Sequence, residues 1–441
     1  MPERSGTRAL VAARTEWHQK AGLAVAERNG ADPALRVQRW PVLAPEAHYG
    51  LPGDVVETIE PHSEADRAAI LVTFLVAYGN MIGRGASFKI GADSHHMKVN
   101  VVLVGETSKA RKGMSWNYNR DVLKAVDPHY IDDRVVNGLS SGEGLIHAVR
   151  DRVMVEDGNG DPVVLDPGVE DKRLLVMESE FANVLKMCQR QGNILSIEIR
   201  SAWDDEKLQT LTKGNPTKAT DAHVSIVGHI TRIELERLLS QSDASNGFAN
   251  RFLWVLVCRS KELPFGGDWS GVDVASLVTN LRGVVKFGRR AGELAWGESA
   301  RELWVEEYHG LSEGHPGLFG AVTSRSEAHV LRLAAIYALM DLSRTIELDH
   351  LKAGLAVWRY AEESARNIFG DATGDPVADR IEEMLSETPA GMTRAEIRDA
   401  FGRNQRSERI GQALQLLERL GRIRKETEHT GGRPAERWFF K

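Results

Sequence analysis

An apolar run that ends in a cationic, glycine-bounded loop is the feature that most constrains the fold of this chain. The run, Val99 to Val104, lies in the stretch KVNVVLVGETSKARKGMS, which begins at Lys98. Such β-branched and aliphatic runs are typical of strands buried on both faces of a parallel sheet. A helix is predicted after the loop, from Trp116 to Ala125. The stretch therefore predicts a strand, a loop and a helix in succession, within an α/β fold.

The loop has the composition of a phosphate-binding loop. Backbone N–H groups and a helix N-terminus can bind an anion, and a lysine can neutralise its charge. The standard pattern is G-x-x-x-x-G-K-[S/T], and here the lysine lies one residue too far along, with a glycine after it. The candidate binding residues are Gly105, Thr107, Ser108, Lys109, Arg111, Lys112, Gly113 and Ser115. The alternative is a solvated turn whose lysines face water.

Composition limits the class of protein. A chain of 441 residues predicts two or three domains with a substantial core. Its formal net charge of -6 excludes wholesale coating by nucleic acid, so any DNA contact must be local. Cys188 and Cys258 each lie beside apolar residues, which favours reduced core thiols and a cytoplasmic location over disulfides or a zinc site. Since no apolar run approaches about 20 residues, we expect no membrane partner.

Two glutamates follow a second predicted buried strand, from Leu174 to Met177. Glu178 and Glu180 would then lie at the carboxyl end of that strand, where ligand sites of open α/β sheets are found. Carboxylates there can hold Mg²⁺ and polarise an attacking water. Both glutamates are therefore catalytic candidates, although they could equally begin an exposed helix.

A histidine and an arginine are associated with two further predicted strands. A strand from His223 to Val227 leads to His229, which could sense a terminal phosphate, orient water, or be a structural histidine. Arg251 immediately precedes a fourth apolar strand. An arginine there could reach across a subunit boundary and neutralise charge on a neighbour's phosphoryl group. Its alternative role is to tether the sheet edge.

Two segments within this region have other possible roles. A β-hairpin is predicted, with strands Val153 to Glu156 and Val163 to Leu165, as a protrusion from the sheet. Further along, Lys213 and Lys218 lie in a polar loop that could contact a threaded nucleic-acid strand or simply be exposed.

The last segment reads as a winged helix-turn-helix. Three amphipathic helices precede two strands, and the third helix would be the recognition helix. From Gly391 to Lys441 there are 12 Arg and Lys against 7 Asp and Glu, a local charge of +5. The DNA-binding candidates are Arg406, Arg409 and Arg433. Protein contacts are the alternative use of such a module.

The order of these motifs resembles that of the primase-helicase-like P-loop ATPases of plasmids and prophages, many of them known as a domain of unknown function. The resemblance covers about Gly50 to Phe369 through GETSKARKGMS, SSGEGL, LLVMESEF, HVSIVGHIT and NGFANRF. It implies a P-loop NTPase parallel sheet of the AAA+ or RecA-like type in residues 46–320. A helical lid in 321–370 would follow. Outside the resemblance, the residues themselves predict an arm or helical appendage in 1–45, a linker in 371–377 and a winged helix in 378–441.

The resemblance also implies ATP and Mg²⁺ as cofactors. Lys112 would hold the β and γ phosphates and Ser115 the Mg²⁺, with Glu178 as a further metal candidate. Glu178 or Glu180 would hold the catalytic water, His229 would be the sensor and Arg251 the arginine finger. The displaced loop glycines depart from the family pattern, as does Ser179, where an aspartate often precedes the glutamate.

Together these features predict an ATP-hydrolysing, helicase-like, DNA-associated motor that serves replication of a mobile element. A homo-oligomer is expected, with a hexameric ring as one form. The alternative is a DNA-binding regulator whose nucleotide site switches conformation without translocation. A repressor with a degenerate ATPase core is a third reading, disfavoured because the acidic and arginine residues are both retained.

Overall fold

The computed structural model describes residues 40–204, 207–211, 216–239, 246–370, 373, 375–428 and 435–441, with only the backbone of residues 108, 376, 428 and 435. Residues 43–441 form one compact unit. Most of the predicted N-terminal arm, Lys213 and Arg433 lie outside the described residues. Every described helix and strand lies within residues 43–441.

The unit is a mixed α/β structure. Its strands are β1 (Ala86–Ile90), β2 (Asp93–His96), β3 (Val101–Gly105), β4 (Val135–Val136), β5 (Val153–Glu156), β6 (Pro162–Asp166), β7 (Arg173–Glu178), β8 (Leu208–Gln209), β9 (Lys218–Ala219), β10 (His223–Thr231), β11 (Leu253–Leu256), β12 (Gly292–Trp296), β13 (Thr345–Ile346), β14 (Met392–Thr393), β15 (Ile423–Glu428) and β16 (Ala435–Phe440). Its α-helices span Gly50–Ile59, Arg67–Met81, Lys112–Val126, Pro128–Arg134, Gly142–Ala148, Phe181–Cys188, Leu195–Trp203, Arg232–Leu238, Ala275–Gly288, Glu298–Ser312, Gly317–Thr323, Ser326–Met340, Leu348–Phe369, Pro376–Ser386, Arg394–Ala400 and Ser407–Arg419. Short 3₁₀ helices span Pro45–His48, Glu60–His62, Gly83–Gly85, Ser108–Ala110 and Ala249–Arg251.

A five-stranded parallel sheet forms the centre, in the order β11-β3-β10-β7-β4. The chain runs from β3 to the edge strand β4, returns through β7 and β10, and then crosses to β11 on the other side of β3. The prediction of an α/β fold with a parallel sheet is confirmed. In open sheets of this kind, ligands bind outside the carboxyl ends of the strands where the strand order changes direction.

A second sheet has the order β13-β12-β1-β2, in which β1 and β2 pair antiparallel and the other pairs are parallel. Its β2 strand contains the paired His95 and His96. The ring of His96 hydrogen-bonds the Ala86 carbonyl across 2.9 Å, so this histidine serves the packing of the sheet.

The buried helix Arg67–Met81 is capped by Asp66, because its carboxylate accepts a hydrogen bond from the Ala68 N–H at 3.0 Å. Ser63 accepts from the Ala65 N–H at 3.1 Å in the preceding turn. Nearly all of the helix is buried, which suits a helix enclosed by neighbouring elements.

The segment predicted as a helical lid packs into the same core as the sheet. Its helices Ser326–Met340 and Leu348–Phe369 contribute to one hydrophobic cluster with β3 and β11. The Tyr360 hydroxyl donates to the Leu256 carbonyl at 2.9 Å, which joins the second helix to the edge strand. The two helices are thus an integral layer of the α/β unit.

Residues 376–441 have a hydrophobic cluster of their own. Three helices pack with a small antiparallel sheet in the order β14-β16-β15. The first helix starts at Pro376, inside the predicted linker, because the Asp375 carboxylate accepts from the N–H groups of Val377 and Ala378. Across the part of the chain that the structure describes, no helix combines the length and apolarity needed to cross a membrane.

Asn80 joins the central sheet to two helices, and its removal tests that connection. Its fully buried side chain donates to the carbonyls of Leu174 and His223, at the starts of β7 and β10, and accepts from the Tyr130 hydroxyl. We expect Asn80→Ala to lower the free energy of unfolding by about 2–3 kcal/mol, since two buried carbonyls and a hydroxyl lose their partner. Tyr130→Phe should cost about 1 kcal/mol. Denaturant titration measures both, and equal losses would contradict this account.

Candidate functional site

The loop after β3 forms a short 3₁₀ turn and then enters a helix. The Thr107 hydroxyl accepts a hydrogen bond from the Lys109 N–H at 3.2 Å. Arg111 follows with φ 57° and ψ 27°, a left-handed conformation, and the helix begins at Lys112. The conformation that usually calls for glycine is thus adopted by the arginine directly before the lysine, which is uncommon for a side chain of this size.

Glu64 holds that arginine in place. Its carboxylate lies 2.7 Å from Arg111 Nε, accepts from the Leu263 N–H at 2.7 Å, and is bonded to Arg259. These partners, the Arg259 hydrogen bond first among them, lower the pKa of Glu64 to about 2. Glu64 is a positioning residue that sequence reasoning missed, because no local pattern connects it to the loop.

Lys112 folds back over the loop. Its Nζ donates to the Thr107 carbonyl at 3.3 Å and lies against Gly105, where an added Cβ would come within 2.9 Å of Nζ and 2.6 Å of the Ala110 Cβ. Within the described residues, no carboxylate forms an ion pair with this half-buried lysine. Burial lowers its pKa, opposed by the nearby charges of Glu180 and Glu234. The ammonium is therefore placed to gain from an anionic partner.

His229 faces the same place from the neighbouring strand. Strand β10 pairs with β3, with His229 opposite Leu103 and Thr231 opposite Gly105. The imidazole is buried, and among the described residues its Nε2 has no hydrogen-bond partner. Burial, and then the charge of Lys112, lower the pKa of His229 to about 4. The ring is neutral at pH 7 and has one nitrogen available to a ligand or to water.

The two glutamates lie at the end of β7, on the other side of β10. Glu178 is buried and accepts from the Leu139 N–H at 2.6 Å, whereas Glu180 is exposed at the start of the helix Phe181–Cys188. That helix can approach the sheet because Gly228 lacks a side chain: an added Cβ would lie 2.5 Å from the Phe181 ring. Of the two, Glu180 is the one whose charge acts on Lys112.

The candidate metal ligands are less well placed. The Ser115 hydroxyl is buried and donates to the Lys112 carbonyl at 2.7 Å, inside the helix. In the described part of the chain no three His, Cys, Asp or Glu side chains group as metal ligands. A divalent cation here would draw its oxygen ligands from Glu178 or Glu180, from a bound phosphate and from water.

Arg251 lies at the opposite end of the sheet. It precedes β11, whose Leu253 pairs with the first residue of β3, and its carbonyl accepts from Asn100 at 3.2 Å. Its guanidinium is buried and bonded to the carboxylate of Asp204 and to the Gly247 carbonyl. In this structure the arginine tethers the sheet edge, as its alternative reading predicted, while a role in a neighbour's site stays a prediction.

Arg325 is a more exposed cation in the same region. Its side chain is 37% exposed, against 7% for Arg251, and lies 3.2 Å from the other oxygen of Asp204. Its guanidinium lies 5.1 Å from the centre of the Trp203 ring.

The candidate DNA contacts are scattered. Lys218 is exposed on β9, and Arg406 is exposed immediately before the helix Ser407–Arg419. Arg409 makes a bidentate ion pair with Asp375, at 2.6 and 2.8 Å. That arginine ties the third helix of the C-terminal module to the start of the first, so its charge is already matched.

Two residues of the helix after β10, Arg232 and Glu234, were missed by sequence reasoning. Glu234 and Thr231 form a capping box, in which the threonine hydroxyl donates to the glutamate at 2.8 Å; the spacing T-x-x-E could have revealed it. Arg232 lies 3.2 Å from Glu106 of the loop and donates to the Asn367 carbonyl at 2.9 Å. It links the loop to the long helix Leu348–Phe369, and no sequence spacing predicts this contact.

Comparisons with protein-family models and with curated proteins found no match to this chain. A lysine, a helix N-terminus, a neutral histidine and an acidic group converge at the carboxyl ends of β3, β10 and β7. Such a set can bind a phosphorylated ligand and orient a water toward it.

Glu64 offers a test of how the loop is held. Glu64→Gln should loosen residues 106–113, because the left-handed Arg111 loses its ionic partner, and amide hydrogen exchange there should rise about tenfold for a loss of about 1.4 kcal/mol. Glu262→Gln is the matched control, since that exposed glutamate also pairs with Arg259, at 3.1 Å. Because the Glu64 pKa is depressed, its contribution is complete above about pH 4.5 and is lost as the pH falls toward 2. Unchanged exchange in Glu64→Gln would refute the role.

Proposed function

We propose that this protein binds and hydrolyses ATP at the β3 loop, as a P-loop NTPase of the AAA+ or RecA-like type. The observation that carries the proposal is the convergence of half-buried Lys112 with the unpartnered Nε2 of buried His229. Two features support a fit to a phosphate group: the absence of a side chain at Gly105 lets the Lys112 ammonium lie over the loop, and that ammonium has no described carboxylate partner. A triphosphate supplies the charge that this environment favours.

Each residue has a distinct role in this proposal. Lys112 and the first N–H groups of its helix would hold the terminal phosphates. Glu180, which is close enough to act on the Lys112 charge, would orient the attacking water, and His229 would report on or steady the terminal phosphate. A neutral imidazole can serve as either donor or acceptor, so it can follow the change from triphosphate to diphosphate.

Mg²⁺ would be held beside the phosphates by Glu178 or Glu180, largely through water. When bound, it supplies charge neutralisation for the transferred phosphoryl group. Ser115 would first have to exchange its hydrogen bond with the Lys112 carbonyl. The displaced hydroxyl follows from the loop sequence, in which Gly113 takes the place directly after the lysine.

DNA binding is the proposed role of the C-terminal module, as a winged helix. Three helices and an antiparallel three-stranded sheet support that assignment. The exposed face of the helix Ser407–Arg419 presents Gln412, Gln415 and Arg419, residue types that can hydrogen-bond base edges. Several other arginines of the module are in ion pairs, so the expected cationic surface is narrower than its +5 charge suggests.

The whole protein, in this proposal, is an oligomeric, helicase-like motor that acts in the cytoplasm in replication of a mobile element. A nucleotide-switched DNA-binding regulator is the second candidate, and the burial of Arg251 against Asp204 favours it. The two candidates differ in assembly. Mixing Arg251→Ala and Lys112→Ala proteins should restore part of the ATP hydrolysis in a motor whose sites span two subunits, whereas a monomeric switch gives no rescue.

Lys112→Ala should abolish ATP binding or turnover, since a partly desolvated phosphate loses its cationic partner. Lys109→Ala is the matched control: this lysine is exposed on the same loop, so its loss should change ATP affinity by less than about threefold. Isothermal titration and phosphate release, each with and without single-stranded DNA, measure the effects. An inactive Lys109→Ala protein together with an active Lys112→Ala protein would show that the phosphate binds Lys109, and would refute the role given to Lys112.

Arg406→Ala and Arg419→Ala should each weaken binding to duplex DNA and reduce its salt dependence by about one counterion, because exposed arginines at this helix can reach phosphates. Arg409→Ala should instead lower the melting temperature of the module, since the carboxylate of Asp375 would remain buried without its partner. Fluorescence anisotropy across a salt series and thermal denaturation separate the two effects. A loss of DNA affinity confined to Arg409→Ala would reverse the assignment.

A further inference from the structure

The hairpin formed by β5 and β6, residues 153–166, is exposed on both faces. Six of its large apolar side chains are exposed, with Leu165 at 67% the most open of them. They are Val153, Met154, Val155, Val163, Val164 and Leu165. The two strands pair with each other as a separate two-stranded sheet, so both outer edges present backbone groups. Isolated hairpins of this kind are marginal in water, and exposed apolar clusters mark contact surfaces.

The base of this hairpin is firmly held. Arg150 makes a bidentate ion pair with Asp166, at 2.7 and 3.0 Å, and the Val169 N–H donates to the Arg150 carbonyl at 2.9 Å. Lys172 lies 2.9 Å from Asp151. The apolar strands are thus projected from a rigid base, which lowers the entropic cost of docking.

The hairpin is also acidic. It carries four carboxylates, Glu156, Asp157, Asp161 and Asp166, and no lysine or arginine. Asp166 is neutralised by Arg150, which leaves three acidic groups at and beside the turn. A surface of this charge repels nucleic-acid phosphates and favours a cationic protein partner.

A groove elsewhere on the chain is complementary to the hairpin, because it contains apolar side chains and its charge is positive. It lies where the helix Lys112–Val126 ends beside the helix Ala275–Gly288 and encloses about 390 Å³. Its lining combines apolar Val126, Pro128 and Val285 with Asp127 and the cations Arg282, Lys286, Arg289 and Arg290.

The cations of this groove are of two kinds. Arg282 donates to the Ala125 carbonyl at 2.6 Å and Arg289 to the Asp127 carboxylate at 2.5 Å, so both serve the fold. Lys286 and Arg290 are exposed and have no ion-pair partner among the described residues. Two unmatched positive charges beside apolar side chains are the counterpart of an acidic, apolar hairpin.

We propose that the acidic hairpin of one copy of this chain docks in the cationic groove of a second copy. The contact joins two different surfaces, so it is heterologous and generates a ring or a filament rather than a closed pair. It names an interface for the proposed oligomer but does not require ATP hydrolysis. The groove lies at the far end of the helix that starts at Lys112, about 20 Å from that lysine, so docking leaves the phosphate loop open.

A charge exchange tests this contact. The hairpin variant carries Glu156→Lys and Asp161→Lys; Asp157 is kept because its carboxylate accepts from the N–H groups of Asn159 and Asp161 and so holds the turn. The groove variant carries Lys286→Glu and Arg290→Glu. A control carries Arg301→Glu and Lys352→Glu, at exposed cations on other helices. Sedimentation velocity of the full chain, with and without ATP, measures assembly.

Each variant alone should require at least about tenfold more protein than wild type to assemble, because like charges then face each other. An equimolar mixture should recover assembly, since each variant's hairpin now matches the other's groove, and the control should behave as wild type. A wild-type chain that stays monomeric, variants that assemble normally, or a mixture without recovery would each overturn the contact. Recovery of assembly without ATP hydrolysis would leave the contact standing and refute the proposed enzyme.

Discussion

The parallel pairing of β10 with both β3 and β7 is the constraint on which the rest of the site depends. Backbone hydrogen bonds fix the register, so that Thr231 lies opposite Gly105 and Gly228 opposite Glu178. Once those residues are aligned, the loop lysine, the histidine and the acidic turn must emerge at the same edge. Strand β10 lies between β3 and β7 and carries the histidine. It therefore brings the loop after β3 and the acidic turn after β7 together in one site.

The strained conformation of the irregular loop is stabilised by a residue that is distant in the sequence. A glycine would adopt the left-handed conformation before Lys112 without steric strain, whereas Arg111 adopts it with strain because it has a Cβ. The Glu64 carboxylate offsets this strain by binding Arg111 on one side and Arg259 on the other. The backbone therefore still turns into a helix at the lysine, although an arginine stands where a glycine is usual. Glu64 supports the conformation that a glycine would adopt unaided.

Arginines of this chain divide into those that the fold uses and those that it leaves available. Arg251 and Arg409 are matched by the carboxylates of Asp204 and Asp375, which lie far away in sequence. These ion pairs hold elements of the fold together, so both positive charges are already matched. Arg406 and Arg419, by contrast, remain exposed in the described structure. Local charge counts therefore overstate the cationic surface, because they cannot show which charges are already paired.

The sequence by itself determined the elements of the core and the position of the loop. Buried strands read as apolar runs and a β-hairpin as two short runs around a polar turn, so β3, β7, β10 and the hairpin could be located within a few residues. Helix and strand periodicity reflects burial of one face or two, which neighbouring residues reveal.

Only the tertiary structure decided which strands are neighbours, that the two long helices join the core of the sheet, and which charges are paired. Glu64 is 195 residues from Arg259, and Asp204 is 47 residues from Arg251. Contacts across such separations leave no spacing in the sequence, because they arise when elements pack. In the sequence, an arginine that will be exposed cannot be told from one that will be paired, because both have the same charge and polarity. Only the folded structure shows which of them lies beside a carboxylate.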